Sequence, residues 1–228
     1  MYNFHNALSH KLRTPLTHIT AGLELMAEEE DPLSSTEVIS LSKTALKAAA
    51  RLNGEIEDIM RYLNASKLNY AKSPCRPGEI PQIVAEISDR LDLTGVTVSQ
   101  VENEPKLYLR LSRPALECVL GELLENARKF HPQQSPTVEI TIVYFDQDGV
   151  NLKITDNGLT LSPEQLAQVW TPYYQGEKYF TGQATGIGLG LSMVASLVWG
   201  VGGSCRLYNR EPGPGVVVAL TLPIAQIY

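Results

Sequence analysis

The amino-acid sequence predicts an antiparallel helical hairpin that forms a dimeric four-helix bundle, followed by an α/β two-layer sandwich. Apolar residues recur every three or four positions up to residue 66, which is the spacing of one helix face. Later, β-branched runs are joined by an Asp-Gly turn, as in a β-hairpin. Two prolines and a glycine between these regions favour a linker. We therefore divide the chain into segments 1–70, 71–78 and 79–228.

The hairpin is predicted from its apolar stripe. The stripe residues are Leu8, Leu12, Leu16, Ile19, Leu23 and Met26, then Val38, Leu41, Ala45, Ala48, Leu52, Ile56, Ile59 and Leu63. Residues 28–32 end the first helix, and Ser-Ser-Thr-Glu at 34–37 offers N-caps for the second. Two helices with one stripe each cannot enclose a core, so a second copy of the chain is expected to complete a four-helix bundle. The alternative is that the hairpin packs only on the rest of its own chain.

Helices and strands alternate irregularly after the linker. This mixture predicts one sheet that is covered by helices on one face. The predicted helices are 79–93, 112–131 and 189–199, and the predicted strands are 96–101, 137–145, 150–155, 205–209 and 216–222. The polar, glycine-containing segment 157–188 leads to the last predicted helix and is expected to be a long lid.

The composition excludes several classes of protein. A net charge of −6 without a dense Lys/Arg block argues against binding to nucleic acid or to a membrane surface. Three widely spaced cysteines fit a reducing compartment. No apolar run approaches the ~18 residues of a membrane span. We therefore expect a soluble, cytoplasmic chain that is the cytosolic part of a longer protein, which is itself either membrane-attached or soluble.

His10 lies on the first helix, about 200° around the axis from the stripe residues Leu8 and Leu12. Its side chain should therefore face solvent, where a partner domain can reach it. Thr14 shares that face one turn later. Pro15 lacks a backbone donor and should kink the helix one turn after the histidine.

The run His10-Lys11-Leu12-Arg13-Thr14-Pro15-Leu16 resembles the phosphoacceptor box of sensor histidine kinases of two-component systems. This resemblance implies a homodimer in which His10 accepts the γ-phosphoryl group of ATP. It also implies a response-regulator receiver domain, with its acceptor aspartate, as the protein partner. Lys11 and Thr14 are then the candidate catalytic neighbours of His10.

Lys11 departs from the family, which usually has Glu or Asp directly after the histidine. A carboxylate there can accept the proton of one ring nitrogen and leave the other as a neutral nucleophile. An ammonium group cannot accept that proton, although it favours the neutral ring and can attract phosphate. This departure motivates an alternative function, a kinase-impaired or phosphatase-biased homologue that acts through nucleotide binding and a receiver partner.

Glu122, Asn126 and Lys129 fall at spacings of four and three in the predicted helix 112–131, and therefore on one face. Oxygen atoms there can hold Mg²⁺ while an ammonium group meets phosphate oxygens. The segment 120–130 is similar to the family's N box, which implies Mg²⁺ ligation by Asn126, phosphate contact by Lys129 and Phe130 near the adenine. Glu122 is either a second Mg²⁺ ligand or a general base.

Two glycine-containing segments complete the resemblance to an ATP-binding domain of the Bergerat fold. Asp156-Asn157-Gly158 resembles the first glycine box, in which the aspartate accepts a hydrogen bond from the adenine amino group. The run 186–191 resembles the second box, where small residues at a helix N-terminus meet a phosphate chain. Its candidate binding residues are Gly186, Gly188, Gly190 and Leu191. A different ATPase of the gyrase or Hsp90 kind, with Glu122 activating water, shares these boxes but lacks the hairpin around His10.

Overall fold

The structure is a computed structural model that describes residues 2–27, 34–69, 73–100, 108–145, 149–175 and 187–225. Helix α1 spans Tyr2–Ala27 and helix α2 spans Ser35–Leu68. A capping box starts α2, because the Ser34 Oγ accepts a hydrogen bond from the Glu37 amide at 3.3 Å and the Glu37 carboxylate accepts one from the Ser34 amide at 2.9 Å. The predicted start of the second helix is therefore confirmed. No helix in these ranges is long and apolar enough to cross a membrane.

The two helices of the hairpin touch through small residues. On α1, Gly22 is buried, and a Cβ atom built there would lie 3.7 Å from the Cβ of Ala45 on α2. Pro15 is also buried, and α1 continues through it. By contrast, Leu16 and Leu23 of the predicted stripe remain 49% and 54% exposed. One chain therefore buries only part of the stripe.

A sheet and four further helices follow the hairpin. The helices are α3 (Ile80–Arg90), which a 3₁₀ turn at Pro77–Glu79 precedes, α4 (Arg113–Lys129), α5 (Pro163–Leu166) and α6 (Gly190–Gly200). The strands are β1 (Val96–Gln100), β2 (Tyr108–Leu109), β3 (Val138–Phe145), β4 (Gly149–Asp156), β5 (Ser204–Asn209) and β6 (Val216–Ala225). The sequence prediction missed β2 and α5, which are too short to show a period.

The sheet has the order β1-β3-β4-β6-β2, and β5 also pairs with β6. Strands β1 and β3 are parallel, whereas the other pairs are antiparallel. The register of the β3–β4 hairpin runs from Val138 opposite Asp156 to Phe145 opposite Gly149, which confirms the predicted hairpin. This register places Asp156 at the end of β4.

The core lies between one face of the sheet and the helices α3, α4 and α6. Along β4, Leu152 and Ile154 are buried whereas Asn151 and Lys153 between them are exposed. The predicted layer of helices on one face of a sheet is therefore confirmed.

The end of α2 is fastened to this α/β layer. Ala65 is 1% exposed and belongs to the same apolar core. The Asn69 side-chain amide donates a hydrogen bond to the Leu197 carbonyl oxygen of α6 at 3.0 Å, and the Ser112 hydroxyl donates one to the Leu68 carbonyl oxygen at 2.6 Å. The hairpin thus lies directly against the layer that carries the candidate site.

Candidate active site

The polar face of α4 lies against the first residue of α6. A Cβ atom built on Gly190 would overlap the Glu122 carboxylate and would lie 3.7 Å from the Asn126 side-chain nitrogen. Only a residue without a side chain allows α6 to begin so close to α4. Glu122 and Asn126, predicted to share a helix face, thereby meet the N-terminus of α6, where backbone N–H groups favour anions.

Glu122 is also held by the hairpin. Its Oε1 accepts a hydrogen bond from Arg61 of α2 at 3.1 Å, and Arg61 pairs with Asp58 as well. Burial raises the pKa of the Glu122 carboxyl group, and the guanidinium charge of Arg61 opposes that shift. Arg61 could not be predicted from the sequence, because its partner lies 61 positions away and no local pattern connects the two residues.

Lys129 and Phe130 form the end of α4. Burial lowers the pKa of the Lys129 ammonium group, and the carboxylates of Glu125, Asp58 and Glu122 oppose this shift. The Lys129 Nζ lies 5.5 Å from the centre of the Phe130 ring, which is itself 47% exposed. The ammonium group is therefore partly desolvated, which strengthens its attraction for an incoming phosphate.

Asp156 lies in a tight backbone cradle at the end of β4. Its Oδ1 accepts hydrogen bonds from the amides of Gly158 at 2.8 Å and Val216 at 3.4 Å. Burial raises the pKa of the Asp156 carboxyl group, while these two hydrogen bonds lower it. A Cβ atom on Gly158 would lie 3.0 Å from Asp156 Oδ1 and 3.2 Å from the Phe130 carbonyl oxygen, so Gly158 brings the ends of β4 and α4 together.

The second glycine box precedes α6, as predicted. Gly186 lies outside the described residues. Gly188 has φ +79° and its carbonyl oxygen accepts a hydrogen bond from the Tyr173 amide at 2.8 Å. Gly190 begins α6 and Leu191 follows in its first turn, half-buried. Residues 187–189, which we call the α6 entry loop, therefore lead directly into the helix N-terminus that faces Glu122.

Helix α1 reaches the same loop. The Lys11 Nζ donates a hydrogen bond to the Ile187 carbonyl oxygen at 3.3 Å. Burial lowers the pKa of the Lys11 ammonium group, and the negative charge of Glu55 on α2 opposes that shift. Thr14 is exposed, and the backbone of His10 belongs to α1. The side chain of His10 lies outside the described residues, so its predicted exposure stays a prediction.

The donor set fits Mg²⁺ as a nucleotide-bound ion. Within the described ranges, no three His, Cys, Asp or Glu side chains are grouped to hold a metal. At the N-terminus of α6, Glu122 places a carboxylate oxygen and Asn126 its side-chain amide, which carries a second oxygen. Mg²⁺ commonly takes one or two protein oxygens and completes its shell with phosphate oxygens and water. The site therefore suits an ion that arrives with a nucleotide.

Comparisons with known proteins agree with this geometry. The family model described as Histidine kinase-, DNA gyrase B-, and HSP90-like ATPase matches residues 112–226, about half of the chain. The histidine protein kinase DivJ of Caulobacter vibrioides is 28% identical over 222 residues, which cover 95% of this chain and 36% of DivJ. The chain spans between 18% and 37% of the length of the curated relatives it matches.

Two solved structures share the fold over nearly the whole chain. The ShkA structure in complex with AMPPNP matches with a TM-score of 0.60 and 21% identity, over 96% of this chain and 45% of ShkA. The ThkA structure in complex with the response regulator protein TrrA matches with a TM-score of 0.63 and 16% identity, over 98% of this chain and 61% of that one. The chain belongs to the histidine kinase-, DNA gyrase B- and HSP90-like ATPase family, in its branch of two-component sensor histidine kinases.

Proposed function

We propose that this chain is the catalytic core of a sensor histidine kinase, which transfers the γ-phosphoryl group of Mg-ATP to His10 and then to a response-regulator aspartate. The observation that carries the proposal is the hydrogen bond from Lys11 to the Ile187 carbonyl oxygen. It joins the residue next to His10 to the α6 entry loop, so the acceptor and the phosphate-binding helix end belong to one site. The relatives DivJ and WalK of Bacillus subtilis carry the names of histidine kinases, which does not favour the kinase-impaired alternative.

In the proposed reaction, a ring nitrogen of His10 attacks the γ-phosphorus in line with the bond to the β-phosphate. The new N–P bond forms as the P–O bond to ADP breaks, ADP leaves with that bond's electron pair, and the phosphorylated imidazole releases its remaining ring proton to solvent water. Positioning and charge neutralisation carry most of the catalysis in such transfers. Lys129 would neutralise phosphate oxygens, while Asp156 would accept a hydrogen bond from the adenine amino group.

Mg²⁺, held by Asn126 with Glu122 as a second ligand, would neutralise negative charge on the phosphates. Glu122 serves here as a ligand or as a positioning group. Its Oε1 accepts the hydrogen bond from Arg61, whereas its Oε2 lies beside the N-terminus of α6, where it could face an ion. The helical hairpin that carries His10 argues against the third function considered, a gyrase-like or Hsp90-like ATPase.

Two further parts of the proposal concern assembly. The exposed apolar residues of the hairpin, among them Leu16, Leu23 and Leu46, suit a homodimeric four-helix bundle. We assign dimerisation and phosphotransfer to residues 1–70, a linker to 71–78 and ATP binding to 79–228. A receiver domain is the proposed protein partner, as in the complex of the structural relative ThkA with TrrA.

The test is incubation with radiolabelled Mg-ATP, comparing the wild type with His10→Ala and with His18→Ala. His18 is an exposed histidine of the same helix and is the matched control. We expect acid-labile, alkali-stable label on the wild type and on His18→Ala, and none on His10→Ala. Unlabelled wild-type protein, or label that survives in His10→Ala, would contradict the proposal.

A further inference from the structure

Lys11 occupies the position where a carboxylate is usual, and the structure gives this lysine a defined set of contacts. Its side chain is half-buried, and its Nζ donates to the Ile187 carbonyl oxygen at 3.3 Å. That carbonyl belongs to the α6 entry loop, which precedes the helix end packed against Glu122 and Asn126. A carboxylate at position 11 could not make this contact, because a carbonyl oxygen accepts hydrogen bonds and does not donate them.

Glu55 provides the second observation. Glu55 lies on α2 and is 4% exposed. Its Oε1 accepts a hydrogen bond from the Arg51 Nε at 2.9 Å. Its Oε2 is buried and meets no hydrogen-bond donor among the described residues. A buried carboxylate with one unsatisfied oxygen is costly unless a positive charge lies nearby. Lys11 is a cation within electrostatic range of this carboxylate, and Arg51 donates the hydrogen bond to its other oxygen.

We propose that Lys11 is a positioning residue for phosphoryl transfer and that Glu55 is its buried counter-charge. Lys11 joins α1, which carries His10, to the α6 entry loop, and Glu55 on α2 provides the negative charge that holds the ammonium group there. The inference rests on the proposed function, because positioning matters only if His10 is the acceptor. On this proposal, Lys11 does not impair the kinase. The negative charge lies on α2, at Glu55, and Lys11 directly after the histidine is the positive partner of that charge.

The proposal makes an unexpected prediction for Lys11→Glu, the substitution that restores the family residue. The new carboxylate would meet the carbonyl oxygen of Ile187 and the negative charge of Glu55, both of which repel it. Transfer to His10 should therefore slow rather than accelerate. If the position needed only an acid to activate His10, the same substitution would speed the reaction.

The first experiment measures the rate of His10 phosphorylation and the affinity for Mg-ATP in a series of variants of the full chain. Lys11→Arg, which keeps a cationic donor, should stay near the wild-type rate. Lys11→Met should lower the maximal rate by about tenfold with little change in nucleotide affinity, because it removes positioning and not binding. Lys11→Glu should be slower still, and adding Glu55→Gln to it should restore the rate of Lys11→Met.

Lys47→Met is the matched control, because Lys47 is an exposed lysine of the same hairpin. It should phosphorylate at the wild-type rate. Lys11→Glu at or above the wild-type rate would overturn the proposal, as would Lys11→Met at the wild-type rate. Equal loss in Lys11→Arg and Lys11→Met would overturn it as well, because the cation would then be irrelevant.

A second measurement separates this inference from the proposed function. Hydrogen exchange of the amides in residues 187–191 reports how firmly α1 holds the α6 entry loop, whether or not His10 is phosphorylated. Exchange should be faster in Lys11→Met than in the wild type and unchanged in Lys47→Met. Equal exchange in Lys11→Met and the wild type would overturn the positioning role, whereas absent label on wild-type His10 with faster exchange in Lys11→Met would overturn the kinase function alone.

Discussion

The α/β layer and the helical hairpin bury different kinds of residue. In the layer, large side chains such as Leu120, Ile140 and Leu152 are fully buried in one continuous core. In the hairpin, α2 buries Ala45 and Ala48 against α1, while Leu46 beside them is 72% exposed. The layer can hold its fold from its own contacts, whereas the hairpin keeps apolar surface that suits a partner.

The sharpest test of this difference is one leucine truncation in each region. Leu120→Ala removes a side chain with no exposed surface, so we expect a loss of about 2–5 kcal/mol in the free energy of unfolding. Leu46→Ala removes an exposed side chain and should change the stability of the monomer by less than about 0.5 kcal/mol. Denaturant unfolding at low protein concentration measures both.

The same pair of variants separates folding from assembly. If the hairpin forms a dimer, Leu46→Ala should weaken association in sedimentation experiments without lowering the stability of the α/β layer. A large monomer destabilisation by Leu46→Ala, comparable with that of Leu120→Ala, would show that the comparison between the two regions is wrong.

Glycine-to-alanine substitutions should give the next largest change in the free energy of unfolding. The change should be destabilising in the α/β layer and stabilising in the hairpin. Gly215 has φ +110°, and a Cβ atom there would overlap the Asp156 carbonyl oxygen. Gly215→Ala should therefore cost more than about 1 kcal/mol and should weaken nucleotide binding by displacing Asp156. Gly54, inside α2, has no atom within 4 Å of such a Cβ, so Gly54→Ala should stabilise the helix by about 0.5–1 kcal/mol.

Gly213→Ala is the control for Gly215→Ala. It has a similar φ of +100°, but no atom lies within 4 Å of its Cβ position. Thermal unfolding and nucleotide titration of the three variants would separate backbone strain from steric overlap. Equal loss of nucleotide affinity in Gly213→Ala and Gly215→Ala would contradict the role assigned to the contact with Asp156.

The parts of the molecule that sequence could predict are those with local signals. The period of the apolar residues predicts both long helices, the cap at Ser34 predicts where α2 begins, and the spacing of Glu122 and Asn126 predicts their shared face. The burial of Glu55 and its proximity to Lys11 could not be predicted, because they depend on how α1, α2 and the α6 entry loop pack. From the sequence alone, Lys11 stands where the family has an acidic residue. In the fold, the acidic residue near this position is Glu55, which lies on α2.

The smallest expected effect concerns the ion pair that joins the two regions, Arg61 with Glu122. Arg61 is 55% exposed, so solvent screens the pair, and a double-mutant cycle of Arg61→Ala and Glu122→Gln should give a coupling of only about 0.2–1 kcal/mol. Lys67→Ala, which removes an exposed cation from the same helix, is the matched control for the first change.

The coupling between Arg61 and Glu122 should also depend on pH in a defined direction. Burial raises the pKa of the Glu122 carboxyl group, so Glu122 becomes neutral at a higher pH than an exposed glutamate does. The attraction to Arg61 needs the ionised carboxylate, and it is lost as the pH falls through that raised pKa. Unfolding measured on both sides of that pH should show coupling only on the alkaline side. Coupling that persists unchanged in acid would mean that the interaction of Arg61 with Glu122 does not depend on the charge of the carboxylate, which would contradict its assignment as an ion pair.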